Sequence, residues 1–207
     1  MKKIYFVRHG ESISNTGDVR IGMDAELSKK GIEQAKVIAE RCTQLGIDLV
    51  VTSTMKRSKE TAEIINGVLQ KPIESSDLFV ERKVPTEFSG VSEEAWNKIR
   101  KEIKGYFYTK GFRHSDEENF EDIMVRCKHS REYLVSKTEN NILVVTHGSF
   151  LRDFVSSAIF KDKLTPEFRR EMTRGFTTVN TGLTILTYKP EGDQWSLLTW
   201  NDHAHLG

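Results

Sequence analysis

Three short apolar runs stand out along the chain because polar, glycine-bearing turns follow each of them. They lie at residues 3–7, 47–52 and 141–146 and are rich in β-branched and aromatic side chains. Short uninterrupted runs of this kind are typical of strands that are buried on both faces. The pattern therefore predicts three buried strands.

Apolar residues at helical spacing alternate with these runs. Ser28 is a candidate N-cap for a helix through Cys42, with Gly46 closing it. The other predicted helices run through residues 62–69, 92–108, 120–134 and 154–159. A weaker strand is expected at 71–75, and a closing hairpin pairs 181–188 with 194–200. Alternating strands and helices predict an α/β fold of three α/β/α layers with a mainly parallel central sheet.

Residues 82–115 break this alternation. We interpret them as an insertion, or lid, over one edge of the sheet. The chain of 207 residues carries no repeat or proline-rich linker, so a single domain over 1–207 is expected.

Composition narrows the classes of function. The net charge is only +1, so no global field favours a nucleic acid or an acidic membrane surface as partner. No apolar run approaches the roughly 20 residues of a membrane span, and the N-terminus lacks the apolar core of a signal peptide. We expect a cytoplasmic protein with Cys42 and Cys127 as buried free thiols. The sequence carries no signal for oligomeric state.

Two of the buried strands end almost alike, in Arg8-His9-Gly10 and in Thr146-His147-Gly148. Parallel strands end at the same edge of a sheet, where ligands of α/β proteins bind. A lone histidine there is more often structural, but two His-Gly ends with an adjacent arginine favour a pocket for an anion. Arg57, just after the strand 47–52, adds a second guanidinium suited to bidentate phosphate binding. Alternatively, Arg57 is a solvated helix residue.

An ordered set of motifs makes the chain resemble the histidine phosphatase superfamily, also called phosphoglycerate mutase-like, in its small phosphatase branch. The matching residues are Arg8-His9-Gly10-Glu11-Ser12, Asn15, Leu27-Ser28, Gly31, Gln34-Ala35, Ser53 to Arg57, Thr61-Ala62, Glu81, Thr146-His147-Gly148, and the tail Asn201-Asp202 with His205-Leu206.

The resemblance implies a mechanism and a role for each matched position. His9 would be the nucleophile that carries a phosphohistidine. The residues that would surround the phosphoryl group are Arg8, Asn15, Arg57, His147 and Gly148. No metal ion or other cofactor is implied. Asp202, His203 and His205 form a weak metal-ligand pattern with no matching carboxylate cluster.

Glu81 is the candidate general acid and base, and it would have to start protonated. Asp77 and Glu87 are rival carboxylates, and an exposed loop charge paired with Arg82 is the structural alternative. The candidate substrate pocket is formed by Ser12, Met23, Arg82, Phe112 and Arg113. The aromatic part of the insertion could equally pack on the sheet.

The predicted function is hydrolysis of a small-molecule phosphate ester. One alternative is a cofactor-dependent phosphoglycerate mutase, although Arg82-Lys83-Val84-Pro85 departs from the segment expected in such mutases. A second alternative is a phosphoryl-binding regulatory module without turnover, for which a nucleophile would have no use.

Overall fold

A six-stranded sheet forms the centre of the computed structural model, which describes residues 1–13, 25–88, 90–92, 94–95, 98 and 109–207. The strands are β1 Lys2–Arg8, β2 Leu49–Thr52, β3 Ile73–Ser75, β4 Asn141–Thr146, β5 Leu183–Lys189 and β6 Gln194–Asp202. Their order is β3-β2-β4-β1-β5-β6. The first four are parallel, and the hairpin of β5 and β6 continues the sheet antiparallel to β1. The predicted α/β fold class is thereby confirmed.

Five α-helices accompany the sheet within the described residues. They are α1 Lys29–Cys42, α2 Lys56–Leu69, α3 Phe120–Ser136, α4 Gly148–Phe160 and α5 Pro166–Gly175. The sequence analysis predicts the first four but misses α5, a mainly polar helix in which Phe168 and Met172 are the apolar pair at helical spacing. Thr165 as N-cap and Pro166 in its first turn are the signals that could have found α5. The predicted helix over 92–108 falls largely outside the described residues.

The alternation of side chains along the strands divides the core into two layers. Ile4 and Phe6 of β1 pack on one face of the sheet with α3 and α4. Tyr5 and Val7 face the opposite way and pack with α1 and α2. The sheet is therefore covered on both sides, which is why its central strands read as continuous apolar runs.

The N-cap of α1 and the two cysteines can be compared directly with the sequence predictions. Ser28 Oγ accepts the Gly31 N–H at 3.0 Å, which confirms the predicted N-cap. Cys42 and Cys127 are buried free thiols in opposite layers of the core, as predicted. Within the described part of the chain, every helix is too short or too polar to cross a membrane.

Candidate active site

The register of the central strands brings the two predicted histidines together. Arg8 of β1 lies opposite Thr146 of β4, so the next residue of each strand occupies the same edge. The His9 N–H continues the ladder by donating to the Thr146 carbonyl at 2.9 Å. As a result, the ring centroids of His9 and His147 lie 5.0 Å apart.

The hydrogen bonds of His9 define its tautomer. Nδ1 lies 2.7 Å from the carbonyl oxygen of Gly10, which can only accept, so Nδ1 carries the proton. Nε2 accepts the Nε–H of Arg57 at 3.1 Å. The lone pair of Nε2 therefore points toward the guanidinium of Arg57.

The environment also keeps both imidazoles neutral. Burial lowers the pKa of His9 well below its usual value, and the charges of Arg57 and Arg8 lower it further. Burial likewise lowers the pKa of His147, with smaller contributions from His9, Arg57, Arg8 and Arg126. A neutral His9 is the form that can attack an electrophile.

His147 is held from behind by two serines. Its Nε2 lies 2.8 Å from Ser53 Oγ and 3.1 Å from Ser58 Oγ. If these hydroxyls donate to Nε2, the ring proton resides on Nδ1. Nδ1 is buried and has no hydrogen-bond partner among the described residues. This tautomer therefore offers a donor to an oxyanion.

Arg8 and Arg57 supply the positive charge of the site. Arg57 is 8% exposed, which rules out the alternative of a solvated helix residue. Burial lowers the pKa of both arginines, and the nearby Glu81 carboxylate partly opposes that effect. Arg8 Nη1 donates to the Thr178 carbonyl at 2.7 Å, and its buried Nε has no partner in the described residues.

Residues 178–181, which the sequence analysis did not identify, contact Arg8, His9 and Gly148. Thr178 lies against Gly148, where a Cβ would come within 2.7 Å of Thr178 Oγ1 and 3.3 Å of Arg8 Nε. Asn180 Nδ2 donates to the His9 carbonyl at 2.9 Å, and the Thr181 N–H donates to the Arg8 carbonyl at 2.9 Å. The second His-Gly pair thus needs its glycine because Arg8 and Thr178 approach so closely.

Glu81 lies at the N-terminus of α4. Its carboxylate accepts the N–H groups of Ser149 at 3.1 Å, Phe150 at 2.9 Å and Arg82 at 2.8 Å. The structure therefore brings Glu81 to the helix that begins directly after His147. The protonated starting form that a general acid needs remains a prediction.

The rival carboxylates have other partners. Asp77 accepts a hydrogen bond from Thr54, and Glu87 bonds to His114 at 2.9 Å. In the tail, Asp202 pairs with Arg41, which also contacts His205. Among the described residues, no group of three or more His, Cys, Asp or Glu side chains could hold a metal ion.

The candidate pocket residues have separate positions. Asn15 and Met23 lie outside the described residues, and Ser12 is buried beside Leu27. Arg82 donates to the Glu118 carbonyl, and Arg113 pairs with Asp122. Phe112, which directly precedes Arg113, is half-buried. Their contact with a substrate stays a prediction.

A family model described as the histidine phosphatase superfamily (branch 1) matches residues 4–203. A probable phosphoglycerate mutase GpmB from Erwinia tasmaniensis is 29% identical over 167 residues, covering 77% of this chain and 75% of that protein. The phosphatase PhoE from Bacillus subtilis, which is named as uncharacterized, is 28% identical, with 100% of this chain and 97% of that protein covered.

The fold has a close counterpart among solved structures. YhfR from Bacillus stearothermophilus superimposes with a TM-score of 0.85 at 23% identity, covering 100% of both chains. This likeness supports the fold, whereas the matched family model and the named relatives bear on phosphatase or mutase activity.

Proposed function

Because this chain belongs to the histidine phosphatase superfamily (branch 1), we propose that it hydrolyses phosphate monoesters through a phosphohistidine on His9, with Glu81 as general acid and base. The observation that carries this proposal is the state of His9. It is a buried neutral imidazole whose Nε2 lone pair meets the Nε–H of Arg57 at 3.1 Å. A residue that only bound phosphate would need a proton on that nitrogen.

In the first step, Nε2 of His9 attacks phosphorus while the bond from phosphorus to the ester oxygen breaks. As the substrate enters, the Nε–H of Arg57 stops donating its hydrogen bond to Nε2 of His9 and donates to a phosphoryl oxygen instead. Arg8 and Nδ1 of His147 donate to the other oxygens, so charge is stabilised where it develops. Arg57 and Arg8 supply positive charge there, and the neutral His147 supplies a hydrogen-bond donor.

Glu81 would give its proton to the leaving oxygen, which departs as an alcohol. In the second step, the Glu81 carboxylate takes a proton from water, whose oxygen attacks phosphorus. The nitrogen–phosphorus bond breaks, inorganic phosphate leaves, and neutral His9 is restored.

Phosphate release from p-nitrophenyl phosphate, combined with acid-quench trapping of labelled protein, tests the proposal. We expect turnover and an acid-labile phosphoprotein in the wild type, and neither in His9→Ala. His129→Ala is a matched control because His129 lies on α3, outside the site. Labelled phosphate that remains on His9→Ala would contradict the assignment of the nucleophile.

A second function, phosphoglycerate mutase activity, is favoured by the name of the Erwinia relative. Interconversion of 3-phosphoglycerate and 2-phosphoglycerate separates it from hydrolysis. With 3-phosphoglycerate as substrate, we expect slow release of phosphate and no formation of 2-phosphoglycerate. The reason is that residues 82–85 depart from the pattern expected in mutases. Binding of phosphate esters without any turnover would instead support a regulatory module.

A further inference from the structure

We propose that Arg126 is a positioning residue for Glu81 and fixes the carboxyl group for proton transfer. This inference rests on the proposed function of Glu81. Arg126 lies on α3 and reaches no phosphate-binding residue by a hydrogen bond described in the structure. Its partners are the chain segments before and after Glu81, together with the helix end that Glu81 contacts.

The chain before Glu81 is held directly. Arg126 Nη1 donates to the carbonyl of Val80 at 2.8 Å and to that of Leu78 at 3.1 Å. Ser130, one turn further along α3, also donates to the Leu78 carbonyl at 3.1 Å. The peptide that leads into Glu81 is therefore attached to α3 by two side chains.

The chain after Glu81 is held through Glu118. Arg126 Nε and Nη2 each lie 2.6 Å from one oxygen of the Glu118 carboxylate, which is a bidentate pair. Glu118 Oε2 accepts the Lys83 N–H at 2.9 Å, and the Glu118 carbonyl accepts Arg82 Nη2 at 3.0 Å. The residues on both sides of Glu81 thus share one guanidinium as their anchor.

The same guanidinium touches the helix end that binds the carboxylate. Arg126 Cζ lies 4.7 Å from the centre of the Phe150 ring, an arrangement typical of a cation–π contact. The Phe150 N–H donates to Glu81 Oε1 at 2.9 Å. Arg126 therefore contacts both the chain that carries Glu81 and the residue that orients its carboxylate.

Burial of the Arg126–Glu118 pair limits the movement of the two side chains. The Arg126 and Glu118 side chains are 13% and 18% exposed, so neither is freely solvated. Proton transfer requires the acid within hydrogen-bond reach of the leaving oxygen, and small misplacements of a catalytic group are costly. A lysine could donate from one point only, and it could not hold Val80 and both oxygens of Glu118 together.

The test compares kcat/KM for a good leaving group, p-nitrophenyl phosphate, with kcat/KM for a poor one, glycerol 3-phosphate. Glu81→Gln should lose about 100-fold on glycerol 3-phosphate and far less on the aryl ester, whose leaving group needs no acid. Arg126→Met should lose about tenfold on glycerol 3-phosphate and little on the aryl ester. In a Glu81→Gln background, Arg126→Met should cause no further loss.

Arg131→Met is the matched control, because Arg131 is also a half-buried arginine on α3 but bonds to Ser157 at 2.6 Å. We expect no dependence on the leaving group in this variant. Arg126→Lys keeps the charge but not the fork of donors, so its loss of kcat/KM on glycerol 3-phosphate should lie between those of the wild type and Arg126→Met. This variant also provides the measurement if Arg126→Met fails to fold.

Equal losses on both substrates, or an added loss in the Glu81→Gln background, would overturn the role of Arg126 and leave that of Glu81 intact. If Glu81→Gln itself showed no leaving-group dependence, the acid role would fail, and the inference would fail with it.

Discussion

The edge of the sheet and the base of the insertion border the same candidate site but are held by different forces. At the sheet edge, Arg8 ends β1, and His9 and His147 directly follow β1 and β4. Backbone register and the buried apolar core hold these residues in place. The insertion stem, which we define as residues 82–88 and 112–118, is joined by polar contacts near the surface, such as Lys83 with Asp116. Under the proposed function, we expect phosphoryl chemistry at the sheet edge, and we expect substrate selectivity to depend on the insertion stem.

Removing a cation from the sheet edge should produce the largest effect. We expect Arg57→Met to lower kcat/KM for p-nitrophenyl phosphate by about 100- to 1,000-fold, because a preorganised donor at developing charge is lost. Steady-state kinetics measure this loss. Lys59→Met, on the same helix, is the control and should stay close to wild type. Similar losses in both variants would mean that Arg57 acts only through the general charge of α2.

A backbone contact at the rigid edge gives the next largest effect. A Cβ on Gly31 would lie 1.9 Å from the carbonyl oxygen of Glu11, two residues after His9. We expect Gly31→Ala to lower the free energy of unfolding by about 1–3 kcal/mol through overpacking, and to reduce activity as residues 9–11 shift. Denaturant unfolding and kinetics on the same preparation measure the two effects.

Gly67 of α2 provides the contrasting glycine, since a Cβ there would meet no atom of the described residues within 4 Å apart from the backbone of its own helix. Gly67→Ala should raise the free energy of unfolding by about 0.5–1 kcal/mol because alanine favours the helix. Activity should be unchanged. If Gly31→Ala were tolerated as well as Gly67→Ala, the tight packing of Gly31 against Glu11 would not be a constraint.

The two regions also differ in how far the sequence predicts them. The proximity of His9 and His147 could be predicted from the sequence, because burial of the strand faces strongly favours one register between parallel strands. The contact of Glu81 with Ser149 and Phe150 joins residues about seventy positions apart through backbone N–H groups, which no side-chain motif encodes. Thr178 and Asn180 contribute a carbonyl and an amide from an irregular segment. Contacts of that kind depend on tertiary packing, so periodicity could not reveal them.

A pH profile examines the rigid edge at a finer scale. Burial, followed by Arg57 and Arg8, lowers the pKa of His9, so protonation that blocks attack should begin only below the ordinary imidazole value of 6.5. We expect the acid limb of kcat/KM to lie below that pH. In Arg57→Met, the limb should move to higher pH, because a charge that opposes protonation is gone. A limb that stays in place would show that the charge of Arg57 does not influence the protonation of His9.

The smallest effect is expected in the insertion stem. Asp116 accepts hydrogen bonds from the Thr86 hydroxyl and from the Thr86 N–H, the latter at 2.8 Å, and it pairs with Lys83 at 2.9 Å. These contacts lower its pKa. A lowered pKa means that the contribution to stability is present above the ordinary carboxylate range and is lost on acidification. Asp116 is exposed, however, and exposed ion pairs contribute little because water and salt screen them. Asp116→Ala should therefore leave the melting temperature and kcat/KM for p-nitrophenyl phosphate close to wild type, as thermal unfolding and kinetics at low and high salt can establish. A loss as large as that of Gly31→Ala would place the stem in the same cooperative unit as the sheet edge and remove the distinction between the two regions.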